Sequence, residues 1–113
     1  MKTLVTLILL LIASISYSQT YTIVQINAEW NQRHNIDLPL RIDNHPVIFG
    51  LLGDQSASIQ ANTKAVPVVV VYRDNQPIMQ WTANLSFKLN LTVEEIKDVI
   101  RKDKQAHQLA RSN

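Results

Sequence analysis

The 113-residue sequence contains no cysteine, and this absence excludes a whole class of chemistry. Without thiols the chain forms neither disulfide bonds nor thiolate metal sites, and it cannot perform dithiol exchange. It has only two glycines, Gly50 and Gly53, so it carries no glycine-rich phosphate-binding motif. The formal net charge of +2 is too small, and its charges are too scattered, to indicate a nucleic-acid partner.

The first 18 residues have the pattern of a signal peptide. A short basic start is followed by an aliphatic run from Leu4 to Ala13 and by small residues at Ser16 and Ser18. Ten apolar residues are too few for a stable spanning helix. We therefore expect cleavage before Gln19 and export of residues 19–113, as one domain, to the periplasm or the medium. An uncleaved anchor is the alternative.

The element order that follows is typical of an α/β domain. β-Branched and apolar runs predict strands, polar clusters predict turns, and one alanine-containing stretch predicts a helix. The predicted strands are 21–28, 47–52, 67–72 and 77–83, the turns 44–46 and 73–76, and the helix 56–64. The segment 36–42 is ambiguous, because its alternation favours an extended chain while its apolar residues are also four apart. Pro39 would kink a helix there.

The last helix is predicted by its capping chemistry. Thr92 and Glu95 fit a capping box, which places the first helical residue at Val93. The apolar stripe of this helix fades beyond Lys104, so we expect the helix to fray there.

Two motifs in this order resemble the thioredoxin family. Ala28-Glu29-Trp30, followed by Asn31-Gln32-Arg33-His34, is similar to the family's Ala-Glu-Trp leading into Cys-X-X-Cys. Val66-Pro67, which opens an aliphatic run, resembles the family's cis-proline strand, although the sequence leaves the isomer open. The resemblance covers about residues 21–104. It implies a thioredoxin-like α/β fold whose mixed sheet has about four strands with flanking helices and lacks the first strand and helix of a full thioredoxin.

The sequence departs from the family at the positions that carry the family's redox chemistry. Asn31 and His34 stand where members have two cysteines, and Gln25 stands where members have a buried acid that assists thiol proton transfer. Amide and imidazole groups cannot supply a thiolate nucleophile or a sulfur leaving group, so disulfide exchange is excluded. We expect no catalytic residue, no cofactor and no metal site.

What the resemblance still implies is contact with a polypeptide. In the family, the backbone before the proline pairs with an extended peptide, and this contact needs no thiol. We therefore expect a non-catalytic domain that binds a polypeptide through the former active-site face, formed by Trp30, Asn31, Gln32, Arg33, His34, Val66 and Pro67. These residues also have purely structural interpretations. Trp30 would then be a partly buried packing residue, and His34 would cap the start of a helix. A histidine-based metal protein is a third hypothesis.

The alternative function is that of a structural or assembly subunit. If the family's strand order holds, the strand 47–52 lies outside the first strand and has no charged residue, so its edge invites pairing with another chain. The edge would be covered by a second copy, by a partner, or by the segment 36–42 folding back as a strand.

Overall fold

The computed structural model describes residues 19–112, with side chains up to Leu109. The predicted signal peptide, residues 1–18, lies outside the described residues. The strands are β1 (Tyr21–Asn27), β2 (Arg41–Ile42), β3 (His45–Leu51), β4 (Val68–Arg73) and β5 (Gln76–Thr82). The helices are α1 (Ala57–Asn62), α2 (Val93–Ser112) and two 3-10 helices, Glu29–His34 and Leu52–Asp54.

The strands form one mixed sheet in the order β2-β3-β1-β4-β5. β1 is central: Ile23 lies opposite Val47 of the parallel strand β3 and opposite Val71 of the antiparallel strand β4. The α/β class is thereby confirmed. The sheet has five strands rather than about four, because the ambiguous segment contributes β2, which pairs with β3 in antiparallel fashion.

Two Asp-Asn turns set the hairpins. Asp74 and Asn75 have φ of 51° and 70° and join β4 to β5, where the sequence predicts a turn. Asp43 and Asn44 have φ of 48° and 67° and join β2 to β3. Asp and Asn tolerate positive φ, and two such residues in succession match the twist of a tight hairpin. The turn predicted at 44–46 lies instead at Asp43 and Asn44, because β3 begins at His45 rather than at Val47.

The helix α2 packs on one face of the sheet. Ile96 and Ile100 join Tyr21, Ile23 and further buried residues in the core, namely Ile42, Val69, Val71 and Leu91. The backbone N–H of Glu95 donates to Thr92 Oγ1 at 3.2 Å, so the helix begins at Val93 as the capping box predicts. α2 continues beyond Lys104 to Ser112, and the expected fraying of its last residues stays a prediction.

The segment between the first 3-10 helix and β2 is extended because a β1 side chain holds it. Gln25 is buried, and its Nε2 donates to the Ile36 carbonyl at 3.0 Å while the Ile36 N–H donates to Gln25 Oε1 at 2.8 Å. This two-bond contact imitates one step of a strand ladder. Ile36 and Leu38 then pack against the core. The helical alternative for 36–42 is therefore excluded.

A partly buried cluster joins the second half of α2 to the sheet, at the start of β1 and the end of β4. The Tyr21 hydroxyl donates to Asp103 at 2.6 Å, and Arg73 donates to the other oxygen of the same carboxylate at 2.6 Å. Burial by itself would raise the pKa of Asp103, but these two hydrogen bonds outweigh it and hold that pKa below its ordinary value. The cluster therefore ties α2 to the strands β1 and β4 at Asp103.

His45, whose ring lies edge-on to the ring of Tyr21, should make the stability of the domain depend on pH. Burial, together with the charge of Lys104, lowers the pKa of His45 below 6.5, although Asp43 opposes this shift. The unfolded chain then binds a proton at His45 more readily than the folded chain does. We expect the free energy of unfolding to fall as the pH drops through 6.5 and below, in denaturant titrations at a series of pH values. His45→Gln should flatten this slope; a slope that this substitution leaves unchanged would contradict the role of His45.

Candidate functional site

The residues at the carboxyl end of β1 form the candidate site. β1 ends at Asn27, and the 3-10 helix Glu29–His34 follows at once. Within it Asn31 departs from helical geometry, with φ of −111° and ψ of 17°, and its side chain turns inward and is buried. Trp30 points the other way and is 67% exposed, Gln32 and Arg33 are exposed, and His34 is half-buried. Trp30 is thus not the partly buried packing residue of the structural interpretation.

Three asparagines at four-residue intervals hold this turn together. Asn27 is fully buried, and its Nδ2 donates to the Asn31 carbonyl at 2.9 Å and to the side chain of Asn35. Its Oδ1 accepts from Asn31 Nδ2 at 3.0 Å. Buried polar groups are costly unless they are hydrogen-bonded, and here each amide is engaged. The network fixes Asn31 at the position where the resemblance places the first cysteine.

Asn31 joins the turn to the proline corner before β4. The Val66–Pro67 peptide bond is cis. Asn31 Nδ2 lies 3.1 Å from the Val66 carbonyl oxygen and donates to it. Both Val66 and Pro67 are buried. The structure therefore brings the predicted site residues Asn31, Val66 and Pro67 together, but the carbonyl before the proline is engaged within the domain.

The loop from Asn84 to Lys88 covers the turn. Asn84 Oδ1 accepts from the backbone N–H groups of Ser86 and Lys88 at 2.9 and 3.2 Å, which closes the loop tightly. Phe87 adopts a φ of 59°, and its carbonyl accepts from Asn31 Nδ2 at 3.1 Å. His34 Nδ1 lies 3.0 Å from Asn31 Oδ1 and 3.1 Å from the Phe87 carbonyl. Both partners are acceptors, so Nδ1 carries the proton.

This loop also completes an exposed apolar surface. The rings of Trp30 and Phe87 meet edge to face, with centroids 5.0 Å apart and planes at 89°. Leu85, two residues before Phe87, is 98% exposed. We call the surface formed by Trp30, Gln32, Arg33, Leu85 and Phe87 the aromatic end.

A cleft of about 390 Å³ opens beside Trp30. It lies between the turn after β1 and the turn after β3, and its lining includes Leu51, Leu52 and Gln60. The carboxyl ends of adjacent parallel strands are where α/β sheets most often bind ligands.

Several contributors to the site are not predicted by the sequence analysis. Asn27, Asn35, Leu85 and Phe87 are absent from the predicted set. The spacing of Asn27, Asn31 and Asn35 is a visible signal, because a side chain at the end of a strand can cap the turn that follows. Phe87 has no such signal, since the fold alone brings it to Trp30.

Neither a metal site nor a membrane-spanning helix is found among the described residues. Within residues 19–112 no three His, Asp or Glu side chains are grouped so that they could hold a metal ion. Nor does that part of the chain contain a helix with the length and apolarity to cross a membrane. The absence of cysteine excludes thiol-based disulfide exchange.

No family model matches the chain, and no curated protein matches its sequence.

Proposed function

We propose that this chain is an exported, non-catalytic thioredoxin-like domain that binds a polypeptide through the aromatic end. The observation that carries the proposal is the 3.1 Å contact between Asn31 Nδ2 and the Val66 carbonyl. The resemblance aligns Asn31 with the first active-site cysteine of the family. In this contact Asn31 lies against Val66, the residue before a cis proline, which is the arrangement that the resemblance implies. The sheet order, with β3 parallel and β4 antiparallel to β1, supports the same frame.

The asparagine network supports a binding role rather than a catalytic one. Where chemistry would need a free nucleophile, Asn31 is buried and hydrogen-bonded to three neighbours, Asn27, Val66 and Phe87. Such a site is rigid and presents no reactive group to a substrate. Rigidity suits recognition, because a preorganised surface loses little conformational entropy when it binds.

The binding surface is narrower than the face expected from sequence. The Val66 carbonyl is engaged by Asn31, and Val66 and Pro67 are buried, so a bound polypeptide does not pair with this backbone. It contacts the side chains that remain accessible. Trp30 and Leu85 offer apolar area, and Gln32 and Arg33 offer hydrogen bonds at the rim. An exposed aromatic anchor with a polar rim is the usual composition of a protein-binding surface.

A peptide selection tests this function. We expect phage-displayed random peptides to be enriched on the wild-type protein, and the enriched clones to lose binding when Leu85→Ser alters the aromatic end. Because Leu85 is almost fully exposed, this substitution leaves folding intact. Met79→Ser, on β5 away from this end, is the matched control and should keep binding. Enriched clones that bind the Leu85 variant as well as the wild type would contradict the proposal.

A further inference from the structure

The outer edge of β3 is only half covered. β2 pairs with His45 and Pro46, and the Val47 N–H donates to the Leu40 carbonyl at 3.0 Å. Backbone groups of alternate residues point to the same edge of a strand, so Phe49 and Leu51 direct theirs outward as Val47 does. One of these groups is already used, because Gln55 Nε2 donates to the Leu51 carbonyl at 3.0 Å. Beyond Val47 no strand of the described chain lies beside this edge. An unpaired edge is a template for another strand.

The surface along this free edge is apolar. Leu40 is 85% exposed, Ile48 51% and Phe49 47%. A cleft of about 350 Å³ runs between Phe49 and the extended segment 35–40. From Val47 to Leu52 the sequence contains no charged residue that would repel an approaching strand. Exposed apolar side chains beside open backbone groups are what an added strand would cover.

We propose that this edge pairs with the same edge of a second copy of the chain, in antiparallel orientation. The free stretch begins after Val47, whose N–H is engaged, and ends at Leu51, where the second 3-10 helix turns away. A two-fold axis beside Gly50 places Phe49 of each copy opposite Leu51 of the other. In this register the Leu51 N–H of each copy donates to the Phe49 carbonyl of the other. The Leu51 carbonyl, which already accepts from Gln55 Nε2, takes the Phe49 N–H on its second lone pair.

The charges at the two ends of the edge favour this arrangement. Arg41 lies on β2 where the edge begins, and Asp54 lies in the 3-10 helix where it ends. Both are exposed, and the salt bridges of the described residues involve neither side chain. Antiparallel pairing brings Asp54 of each copy towards Arg41 of the other, so two attractive pairs form at once. A two-fold interface has this self-complementarity by symmetry.

Charge reversal tests the proposal by sedimentation equilibrium over a dilution series. We expect the wild-type protein to show a monomer–dimer equilibrium. Arg41→Asp and Asp54→Arg should each weaken the dimer about tenfold, because two attractions become two repulsions. The double variant Arg41→Asp/Asp54→Arg should restore it. Both sites are exposed, so circular dichroism should show unchanged folding.

Two results would overturn the inference: a monomer at every concentration, or a dimer whose dissociation constant neither reversal changes. Phe49→Lys provides a second probe, since a charge in the middle of the edge should abolish dimerisation while Met79→Lys should not. This inference does not depend on the proposed function. Leu85→Ser should leave the mass unchanged, so the two proposals can fail separately.

Discussion

Replacing Asn31 by alanine should lower the free energy of unfolding by about 3 kcal/mol, the largest stability effect expected of a single polar side chain in this domain. The two N–H groups of the Asn31 side chain are shared among three acceptors, Asn27 Oδ1 and the carbonyls of Val66 and Phe87. Its removal takes this donor away from the buried Val66 carbonyl, and an unsatisfied buried group costs about 1–3 kcal/mol. Asn27 Oδ1 keeps the Ala28 N–H and the Phe87 carbonyl keeps His34 Nδ1, so these two acceptors lose only one of their donors. Chemical denaturation measures the loss.

The neighbouring Gln32 is the matched control. It belongs to the same 3-10 helix, carries the same amide group and is exposed, so Gln32→Ala should change the free energy of unfolding by less than about 0.5 kcal/mol. Hydrogen exchange adds a local readout: in the Asn31 variant the Asn84–Lys88 loop should lose protection. Equal effects of the two alanine substitutions would show that the asparagine network does not stabilise the site.

Trp30→Ala should weaken the binding of a selected peptide by about thirtyfold or more, which corresponds to roughly 2 kcal/mol. Trp30 is the largest exposed side chain of the aromatic end, and Phe87 holds its ring edge to face. A tryptophan that is fixed before binding loses little side-chain entropy in the complex and buries a large area. Isothermal titration of the variant with the selected peptide measures the change.

The Trp30→Ala substitution should weaken peptide binding much more than it lowers the stability of the domain. Trp30 is mostly exposed, so its removal should lower the free energy of unfolding by less than the Asn31 substitution does. Trp30→Phe should recover part of the affinity, because a phenyl ring keeps some of the apolar area. A Trp30→Ala protein that binds the peptide as tightly as the wild type would exclude Trp30 as an anchor.

The sequence predicts those elements whose signals are local. The turn at Asp74-Asn75 follows from residues that tolerate positive φ, and the start of α2 at Val93 follows from Thr92 and Glu95. These interactions form within a few residues of each other, so no knowledge of the tertiary fold is needed.

The sequence fails where distant residues decide the local conformation. Gln25 selects the extended form of the 36–42 segment through its bonds to Ile36, eleven positions away in the chain. The bonds of Tyr21 and Arg73 to Asp103 likewise join α2 to strands that are distant in the chain. Neither tertiary contact is visible in the local sequence pattern.

Part of the candidate site is also predicted by the sequence, and part of it is determined by contacts between distant segments. The turn Asn31–His34 and the corner Val66–Pro67 are expected together because the resemblance places them on one face. The burial of Asn31 is not expected, because two of its acceptors are carbonyls of Val66 and Phe87 from distant segments. Which predicted residues remain accessible to a partner is therefore determined by the fold.

The measurement that tests the central claim most directly is a titration of the ¹⁵N-labelled protein with the selected peptide, followed by NMR. The two tryptophans give separate indole N–H signals, one from exposed Trp30 and one from Trp81, which packs against the core. We expect the Trp30 signal and the amides of the Asn84–Lys88 loop to shift on saturation while the Trp81 signal stays in place. Shifts confined to Trp81 and β5, or to the edge of β3, would contradict it.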